Sequence, residues 1–219
     1  MRFVIGFTLI LMIASCYSNK KLLNSRVGSM KAPLVTTPRQ SIDISDDVIK
    51  EINYSSYRSW AQCFLDNKEI ETFVLAAGDY SSWGIIEINS STSGVKKRKI
   101  ISTSVLNSDD HVISASRNVE VKGFDFDNAQ NWELNGIVVD GGITNYIKNQ
   151  SSNISFLNSV IRDVPKGNAL RIVSSNNTII RNCVFTLDAK LAKEECIAIT
   201  VSARQNKESR NTLIENNEI

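Results

Sequence analysis

The sequence predicts an all-β protein, a right-handed parallel β-helix with an N-terminal capping helix. Three observations support this fold class. Ile and Val are abundant between polar segments, with 26 Ile, 17 Val, 22 Asn and 27 Ser in 219 residues, and β-branched residues favour strands while Asn and Ser favour turns. A helical period is confined to the region before Glu71. Beyond it, four segments align without gaps, as expected when one structural unit is repeated.

Residues 1–15 read MRFVIGFTLILMIAS, an arginine followed by an apolar run that is too short for a dependable membrane span. We interpret them as a signal peptide. The segment Ile13-Ala14-Ser15-Cys16 resembles the lipobox of bacterial lipoproteins, which implies cleavage before Cys16 and a lipid on its thiol. We therefore expect a lipid-anchored protein of the bacterial cell envelope, at the outer membrane or the cell surface. An ordinary secreted protein is the alternative.

Residues 16–44 are polar and show no period, so they are predicted to form a tether between the lipid and the folded domain. Residues 45–70 are predicted to form the capping helix. Ser45 is the expected N-cap of a helix over Asp46–Leu65, which Asn53–Ser56 divides into two pieces. Such a helix would cover the open apolar end of the first coil, as terminal caps do in solenoids.

Residues 71–219 are predicted to form the coils of the β-helix. The chain reaches Ile219 inside a repeat, so we expect it to be the N-terminal part of a longer protein whose catalytic centre can lie beyond that residue. The predicted strands are Thr72–Ala76, Ile85–Ile88, Lys99–Thr103, His111–Ala115, Asn118–Phe126 and Gly136–Val139.

The repeat is the most specific of the three observations. Each segment begins with Asn, has apolar residues at its fourth and ninth positions, and has Gly or Asn at its sixth. Stacking such units in register buries one continuous core and places the Asn side chains above one another. A β-sandwich, the alternative, gives no reason for stacked Asn columns. The segments are NVEVKGFDF from Asn118, NISFLNSVI from Asn153, NTIIRNCVF from Asn177 and NTLIENNEI from Asn211.

A second type of strand recurs between these segments, as GIVVDG, ALRIVSS and CIAITVS. The cysteines give a weaker constraint. Lipidation of Cys16 leaves three, so at most one disulfide bond can form. Cys183 and Cys196 are the candidate pair, and burial as small apolar residues is the alternative.

The stretch Phe73–Tyr80, FVLAAGDY, is similar to the opening "apolar strand, Gly, x, Tyr" of pectin-lyase-like β-helix proteins. Gly94–Ser102, Asn118–Phe126 and Trp132–Asp140 continue that pattern. Residues 45–219 as a whole resemble the first coils of polysaccharide lyases of the chondroitinase B and alginate lyase kind. The resemblance implies an anionic, uronic-acid polysaccharide as substrate and cleavage by β-elimination. β-Helices also serve as hydrolases, esterases, epimerases and adhesins, so the fold alone does not decide the activity.

Cleavage by β-elimination needs a group that neutralises the uronate carboxylate, a base that removes the α-proton and an acid that protonates the leaving oxygen. We predict Lys166 and Arg171 as the catalytic residues, with Arg162 beside them for substrate binding. If Leu170 and Ile172 point inward, Arg171 must point outward. The cations Arg162 and Arg171 would lower the pKa of a base at Lys166. The alternative is that these are solvated loop charges.

Lys190 and Lys193, in the next long loop, are further candidates for substrate binding. No metal site is predicted from a motif, and no cofactor is evident. Ca²⁺ remains open because carboxylates lie near several strand ends. A pair of carboxylates could instead serve a glycoside hydrolase. The four acidic residues concerned are Asp125, Asp127, Asp140 and Asp163.

The net charge excludes other functions. It is only +2, and the chain has one His, which argues against nucleic-acid binding and against a histidine triad or a multi-histidine metal site. The expected partners are an anionic polysaccharide and, through the lipid anchor, a membrane, and we expect a monomer. The first functional hypothesis is a polysaccharide lyase. The alternatives are a non-catalytic glycan-binding protein or adhesin and a β-helix glycoside hydrolase.

Overall fold

The chain folds as a stack of parallel strands. Within the described residues it forms seventeen β-strands and one α-helix. Every neighbouring pair of strands in its three sheets runs parallel. The prediction of an all-β parallel β-helix is therefore confirmed. The computed structural model describes residues 47–93, 96–103, 119–140, 142–164, 167–187, 196–204 and 207–219.

Each sheet takes one strand from each successive coil. In spatial order, sheet 1 consists of β1 (Ile49–Ile52), β2 (Thr72–Leu75), β5 (Arg98–Ser102), β8 (Gln130–Asn135), β11 (Ser152–Leu157), β14 (Asn176–Arg181) and β17 (Leu213–Glu215). Sheet 2 consists of β3 (Gly78–Asp79), β6 (Val119–Val121), β9 (Val138–Asp140), β12 (Val160–Val164) and β15 (Val184–Leu187). Sheet 3 consists of β4 (Ile86–Asn89), β7 (Phe124–Asp127), β10 (Asn145–Lys148), β13 (Gly167–Val173) and β16 (Cys196–Ser202).

The chain visits sheet 1, sheet 2 and sheet 3 in that order, and it does so in five coils from β2 to β16. Inward side chains of successive coils lie above one another. Phe156 of β11 pairs in register with Leu134 on one side and Ile180 on the other, and Ile180 pairs with Ile214 of β17. These apolar positions form one continuous core. The ring of Phe156 also lies 5.1 Å from that of Phe124 across the coil.

A ladder of asparagine side chains runs along sheet 1, as the repeat predicted. The Nδ2 of Asn153 donates to the Oδ1 of Asn131 over 2.9 Å, that of Asn177 to Asn153 over 3.1 Å, and that of Asn211 to Asn177 over 2.9 Å. All four residues have positive φ, between 52° and 61°, a conformation that Asn tolerates better than most residues.

A second row of turn residues joins the strands of sheet 1 to those of sheet 2. Asn158, Asn182 and Asn216 have φ of 48°, 55° and 54°, and Gly136 fills the same position one coil earlier with φ 75°. The Nδ2 of Asn182 donates to the Oδ1 of Asn158 over 3.2 Å, and the Nδ2 of Asn158 donates to Asn135 over 3.0 Å. Gly or Asn recurs at the sixth repeat position because this turn needs a left-handed backbone.

The predicted alignment is wrong for the first of the four repeat segments. Asn118–Phe126 was matched to Asn153–Ile161, but its described strands, β6 and β7, lie in sheets 2 and 3. The true equivalent of Asn153–Ile161 is Asn131–Val139, NWELNGIVV, whose strands β8 and β9 pair with β11 and β12. The ladder residues are then 22, 24 and 34 residues apart. GIVVDG therefore belongs to sheet 2, whereas ALRIVSS and CIAITVS pair in sheet 3.

The N-terminal region differs in part from the predicted helix. Ile49–Ile52 is strand β1, which extends sheet 1 by pairing with β2. The α-helix α1 spans only Trp60–Asp66, and its N-cap is Ser59, whose Oγ accepts a hydrogen bond from the backbone N–H of Gln62 over 3.2 Å. Its buried side chains pack on the first coil, so this helix has the predicted capping position. They are those of Trp60, Cys63 and Phe64.

The Gly and Tyr of the Gly-x-Tyr motif both pack against the N-terminal region. Tyr80 is fully buried, and its hydroxyl donates to the backbone oxygen of Ile52 over 2.8 Å. Gly78 lies against Tyr54, whose ring would be 2.6 Å from an added Cβ. A larger residue at Gly78 would force this ring to move.

The cysteines that the structure describes lie in the core. Cys63 and Cys183 are buried, and the Sγ of Cys183 lies 3.4 Å from the backbone oxygen of Phe156. The side chain of Cys196 is outside the described part, so the pairing with Cys183 stays a prediction. Among the described helices, none is long and apolar enough to cross a membrane.

Candidate functional site

The outer surface of sheet 3 carries several of the candidate site residues that the structure describes. We call it the sheet-3 face and define it by the outward residues of β4, β7, β10, β13 and β16. Leu170 and Ile172 are fully buried, while Arg171 between them is partly exposed. Arg171 therefore points outward, as the alternation of side chains predicted.

One row of this face crosses all five coils. Strand register places the five side chains side by side, with about 4.8 Å between neighbouring strands. The row is acidic at the end near α1 and carries a tyrosine and an arginine further along. Its members, in spatial order, are Glu87, Asp125, Tyr146, Arg171 and Thr200.

Tyr146 lies between two cations. The Cζ of Arg171 is 6.0 Å from the centre of its ring, and the Nζ of Lys148 is 5.2 Å from the same centre. Among the described residues, none accepts a hydrogen bond from the buried Nε–H of Arg171. The partly exposed guanidinium therefore lies beside an aromatic ring that can contact a sugar.

The acidic end of the face is partly neutralised. The Nζ of Lys148 lies 2.6 Å from the Oδ2 of Asp125 and 3.6 Å from that of Asp127. Partial burial acts to lower the pKa of Lys148, but the hydrogen bonds and negative charges of these two carboxylates outweigh it and raise the pKa above its usual value. Lys148 is therefore a cation at neutral pH and cannot serve as a base there.

A small cavity of about 210 Å³ lies against this acidic end. Its lining includes Glu87, Asn89, Asp125 and Asp127. Asp125 and Asp127, the pair considered for a hydrolase, share the ammonium group of Lys148.

The predicted basic group around Arg171 is not assembled on one face. Arg162 lies on the outer surface of sheet 2, paired in register with Asp140. Its Nη2 is 2.6 Å from the Oε2 of Glu120, and its Nε is 3.8 Å from the Oδ2 of Asp163. Arg162 and Arg171 therefore face different directions. The catalytic role of Arg171 and the substrate-binding role of Arg162 stay predictions.

Several predicted residues lie outside the described part of the chain. They are Cys16, Ser45, Lys166, Lys190 and Lys193, and the predicted strand His111–Ala115 lies outside it as well.

The carboxylates considered for Ca²⁺ are divided between two surfaces. Asp125 and Asp127 belong to sheet 3, and Asp140 and Asp163 belong to sheet 2. Within the part of the chain that the structure describes, no group of three or more His, Cys, Asp or Glu side chains is arranged to hold a metal ion.

The sequence reasoning missed Lys148 as a member of the site. The signal was present in Asn145–Lys148, NYIK, where buried Asn145 and Ile147 alternate with the partly exposed Tyr146 and Lys148. Asn145 is buried because its side chain bridges coils. Its Oδ1 accepts from the N–H of Phe124 over 2.9 Å, and its Nδ2 donates to the backbone oxygen of Ala169 over 3.0 Å.

Comparison with known proteins adds no family to this description. No protein-family model, curated protein or solved structure matched the chain. The parallel coil is compatible with the pectin-lyase-like β-helix fold. Any activity must therefore be argued from the sheet-3 face itself.

Proposed function

We propose that the protein is an exported, lipid-anchored β-helix that acts on an anionic polysaccharide by β-elimination. The polysaccharide would lie along the row of the sheet-3 face, across the strands. The observation that supports this most directly is the outward, partly exposed Arg171 next to Tyr146. A long polymer fits a surface that repeats from coil to coil better than a compact ligand would.

In this proposal Arg171 neutralises the carboxylate of one uronate unit, which makes its α-proton more acidic. Tyr146 is placed beside it and can donate or accept a proton through its hydroxyl. Lys148 holds Asp125 and Asp127 as ion pairs, so that these carboxylates repel the polymer less. Lys166 remains the predicted base, with Lys190 and Lys193 in substrate binding.

The second candidate is a non-catalytic glycan-binding protein or adhesin. The specific observation in its favour is the ion pairing of Lys148, which leaves this lysine protonated and unable to remove a proton. In that case Arg171 and Tyr146 would bind the polymer without cleaving it.

The test is to incubate the full chain with alginate, pectate and chondroitin sulfate and to follow three readouts. A lyase produces the ultraviolet absorbance of unsaturated uronates. A binding protein retains the polymer without new chain ends, and a hydrolase gives new reducing ends without that absorbance. Absence of both cleavage and retention for all three polymers would refute the proposal.

Variants locate the site. We expect Arg171→Ala and Tyr146→Phe to reduce cleavage or retention by at least about tenfold, which corresponds to about 1.4 kcal/mol. Arg162→Ala is the matched control, because it makes the same substitution on the outer surface of sheet 2. If Arg162→Ala has the larger effect, the polymer lies on sheet 2 and the sheet-3 face is the wrong site.

A further inference from the structure

A second and larger cavity, of about 840 Å³, lies between α1 and β4 at the N-terminal end of the coil. We call it the cap cavity. Its volume falls within the range of about 300–1,000 Å³ that is usual for small-molecule sites. It is lined by aromatic rings and by charged groups, among them Trp60, Phe64, Trp83, Glu87 and Arg98.

Arg98 is a buried cation at this cavity, with 9% of its surface exposed. Among the described residues, its guanidinium donates to backbone oxygens, from Nε to Ile70 over 3.0 Å, from Nη1 to Thr92 over 3.2 Å and from Nη2 to Asn67 over 3.0 Å. None of the ion pairs formed by the described carboxylates includes Arg98. Burying a charge without a counter-charge is costly.

Aromatic rings surround this guanidinium. Its Cζ lies 4.9 Å from the ring centre of Trp132, 5.1 Å from that of Phe73 and 5.9 Å from that of Phe64. The rings attract the cation but carry no net charge. Burial lowers the pKa of Arg98, and the nearby Cys63 and Glu69 offset this only in part. Three of the five N–H groups of Arg98 have acceptors within the described part of the chain, which leaves two donors for an anion there.

A second donor at the cavity also lacks a partner. Trp60 is 1% exposed and lines the cap cavity, and none of the described residues accepts a hydrogen bond from its Nε1–H. A buried donor of this kind is rare unless a ligand or water accepts from it. The cavity therefore offers an anionic molecule a buried cation, with the indole of Trp60 in its lining.

The cap cavity is continuous with the sheet-3 face. Glu87 and Asn89 line both the cap cavity and the small cavity against Asp125 and Asp127. Their exposed side chains can accept from and donate to hydroxyl groups. Lys68, exposed at the other side of the cavity, adds a second cation.

We propose that the cap cavity binds an acidic monosaccharide unit, with its carboxylate toward Arg98 and its hydroxyl groups toward Glu87 and Asn89. The unit is the end residue of the polysaccharide that lies along the sheet-3 face. This last point rests on the proposed function, whereas binding of the acidic sugar itself does not.

The test uses tryptophan fluorescence, since all three tryptophans of the chain adjoin this site. Trp60 and Trp83 line the cavity, and Trp132 contacts Arg98. We expect glucuronate and galacturonate to change the emission in a saturable way, with a Kd of about 1 mM or tighter. Glucose and galactose, which lack only the carboxylate, should bind at least about tenfold more weakly.

Replacing Arg98 risks unfolding, so the variant is Ala61→Phe, which fills the cavity from an exposed lining position. Gln62→Phe is the control, because Gln62 is the next exposed residue of α1 and is not part of the lining. We expect Ala61→Phe to weaken binding at least about tenfold and Gln62→Phe to leave it unchanged.

The inference is wrong if acidic sugars give no saturable change, if neutral sugars bind as well, or if Ala61→Phe binds like the parent protein. Its failure is distinguishable from that of the proposed function. Polymer cleavage or retention that depends on Arg171 but not on Ala61→Phe would retain the proposed function and reject the placement of the polymer's end residue in the cap cavity. Uronate binding blocked by Ala61→Phe, without any effect on a polymer, would do the reverse.

Discussion

Asn158 offers a quantitative test of the coil, because its backbone and its side chain contribute separately. Its φ is 48°, its Nδ2 donates to Asn135 over 3.0 Å, and its Oδ1 accepts from Asn182 over 3.2 Å. Asn158→Gly removes both hydrogen bonds but keeps the left-handed turn. Asn158→Ala removes both and also places a Cβ in a backbone conformation that disfavours it.

The expected magnitudes follow from these contacts. Two partly buried hydrogen bonds contribute about 1 kcal/mol each, and glycine adds a cost of about 0.5–1 kcal/mol through the flexibility of the unfolded chain. Asn158→Gly should therefore lower the free energy of unfolding by about 2.5–3 kcal/mol. For Asn158→Ala the left-handed conformation costs about 1–2 kcal/mol instead, which gives a loss of about 3–4 kcal/mol.

The assay is urea unfolding followed by circular dichroism, with the midpoint and slope measured for each variant. Ser155 is the matched control, a buried residue of β11 outside the positive-φ positions. At this position we expect Ser155→Gly to be less stable than Ser155→Ala, because glycine weakens a strand. If Asn158→Ala is as stable as Asn158→Gly, the turn does not need a left-handed residue and the explanation of the sixth repeat position is refuted.

Two further predictions concern the core. Phe156→Ala should lower the free energy of unfolding by about 3–5 kcal/mol, because Phe156 is fully buried and contacts Phe124; a loss below about 1 kcal/mol in urea unfolding would contradict a continuous core. Burial raises the pKa of the Cys63 thiol to about 12, so the native protein should not be alkylated there at pH 8, while the urea-unfolded protein should be, as peptide mass spectrometry would show. Because the thiol of Cys63 has a higher pKa in the folded protein than in the unfolded chain, its contribution to folding stability is complete below the unfolded pKa and is lost as the pH rises through the folded pKa. Rapid alkylation of native Cys63 would show instead that the cap is open.

The repeat was readable because stacking constrains the same positions in every coil. Inward positions such as Phe156 and Ile180 must be apolar, and turn positions such as Asn158 and Asn182 must tolerate positive φ. The alignment failed in the coil where Gly136 replaces Asn at the turn. Either residue satisfies the backbone there, so the sequence had no unique signal for the register.

The N-terminal error has a different cause. Ile49 and Ile52 fit one side of a helix as well as they fit a strand, and periodicity cannot separate the two over so short a segment. The strand forms because β2 offers an unpaired edge. β1 forms four residue pairs with this edge, the last of them between Ile52 and Leu75. That edge is created by the tertiary fold and is not visible in the local sequence.

The site was only partly predictable for a related reason. Alternation within β13 sufficed to turn Arg171 outward. Its neighbour Tyr146 comes from the preceding coil, so identifying the pair required the correct register between coils. Arg162 is close to Arg171 in the sequence, but the chain turns from sheet 2 to sheet 3 between them.

The ladder from Asn131 to Asn211 has a direction, since each amide nitrogen donates to the oxygen of the coil before it. If one amide, such as that of Asn153, rotated by half a turn, its oxygen would face an oxygen on one side and its nitrogen a nitrogen on the other. Only two arrangements of the row satisfy every internal hydrogen bond. In one, each amide nitrogen donates to the preceding coil, and in the other each donates to the following coil. The side chains can therefore exchange between them only in concert, which makes this exposed row behave as a single aligned dipole rather than as four independent groups.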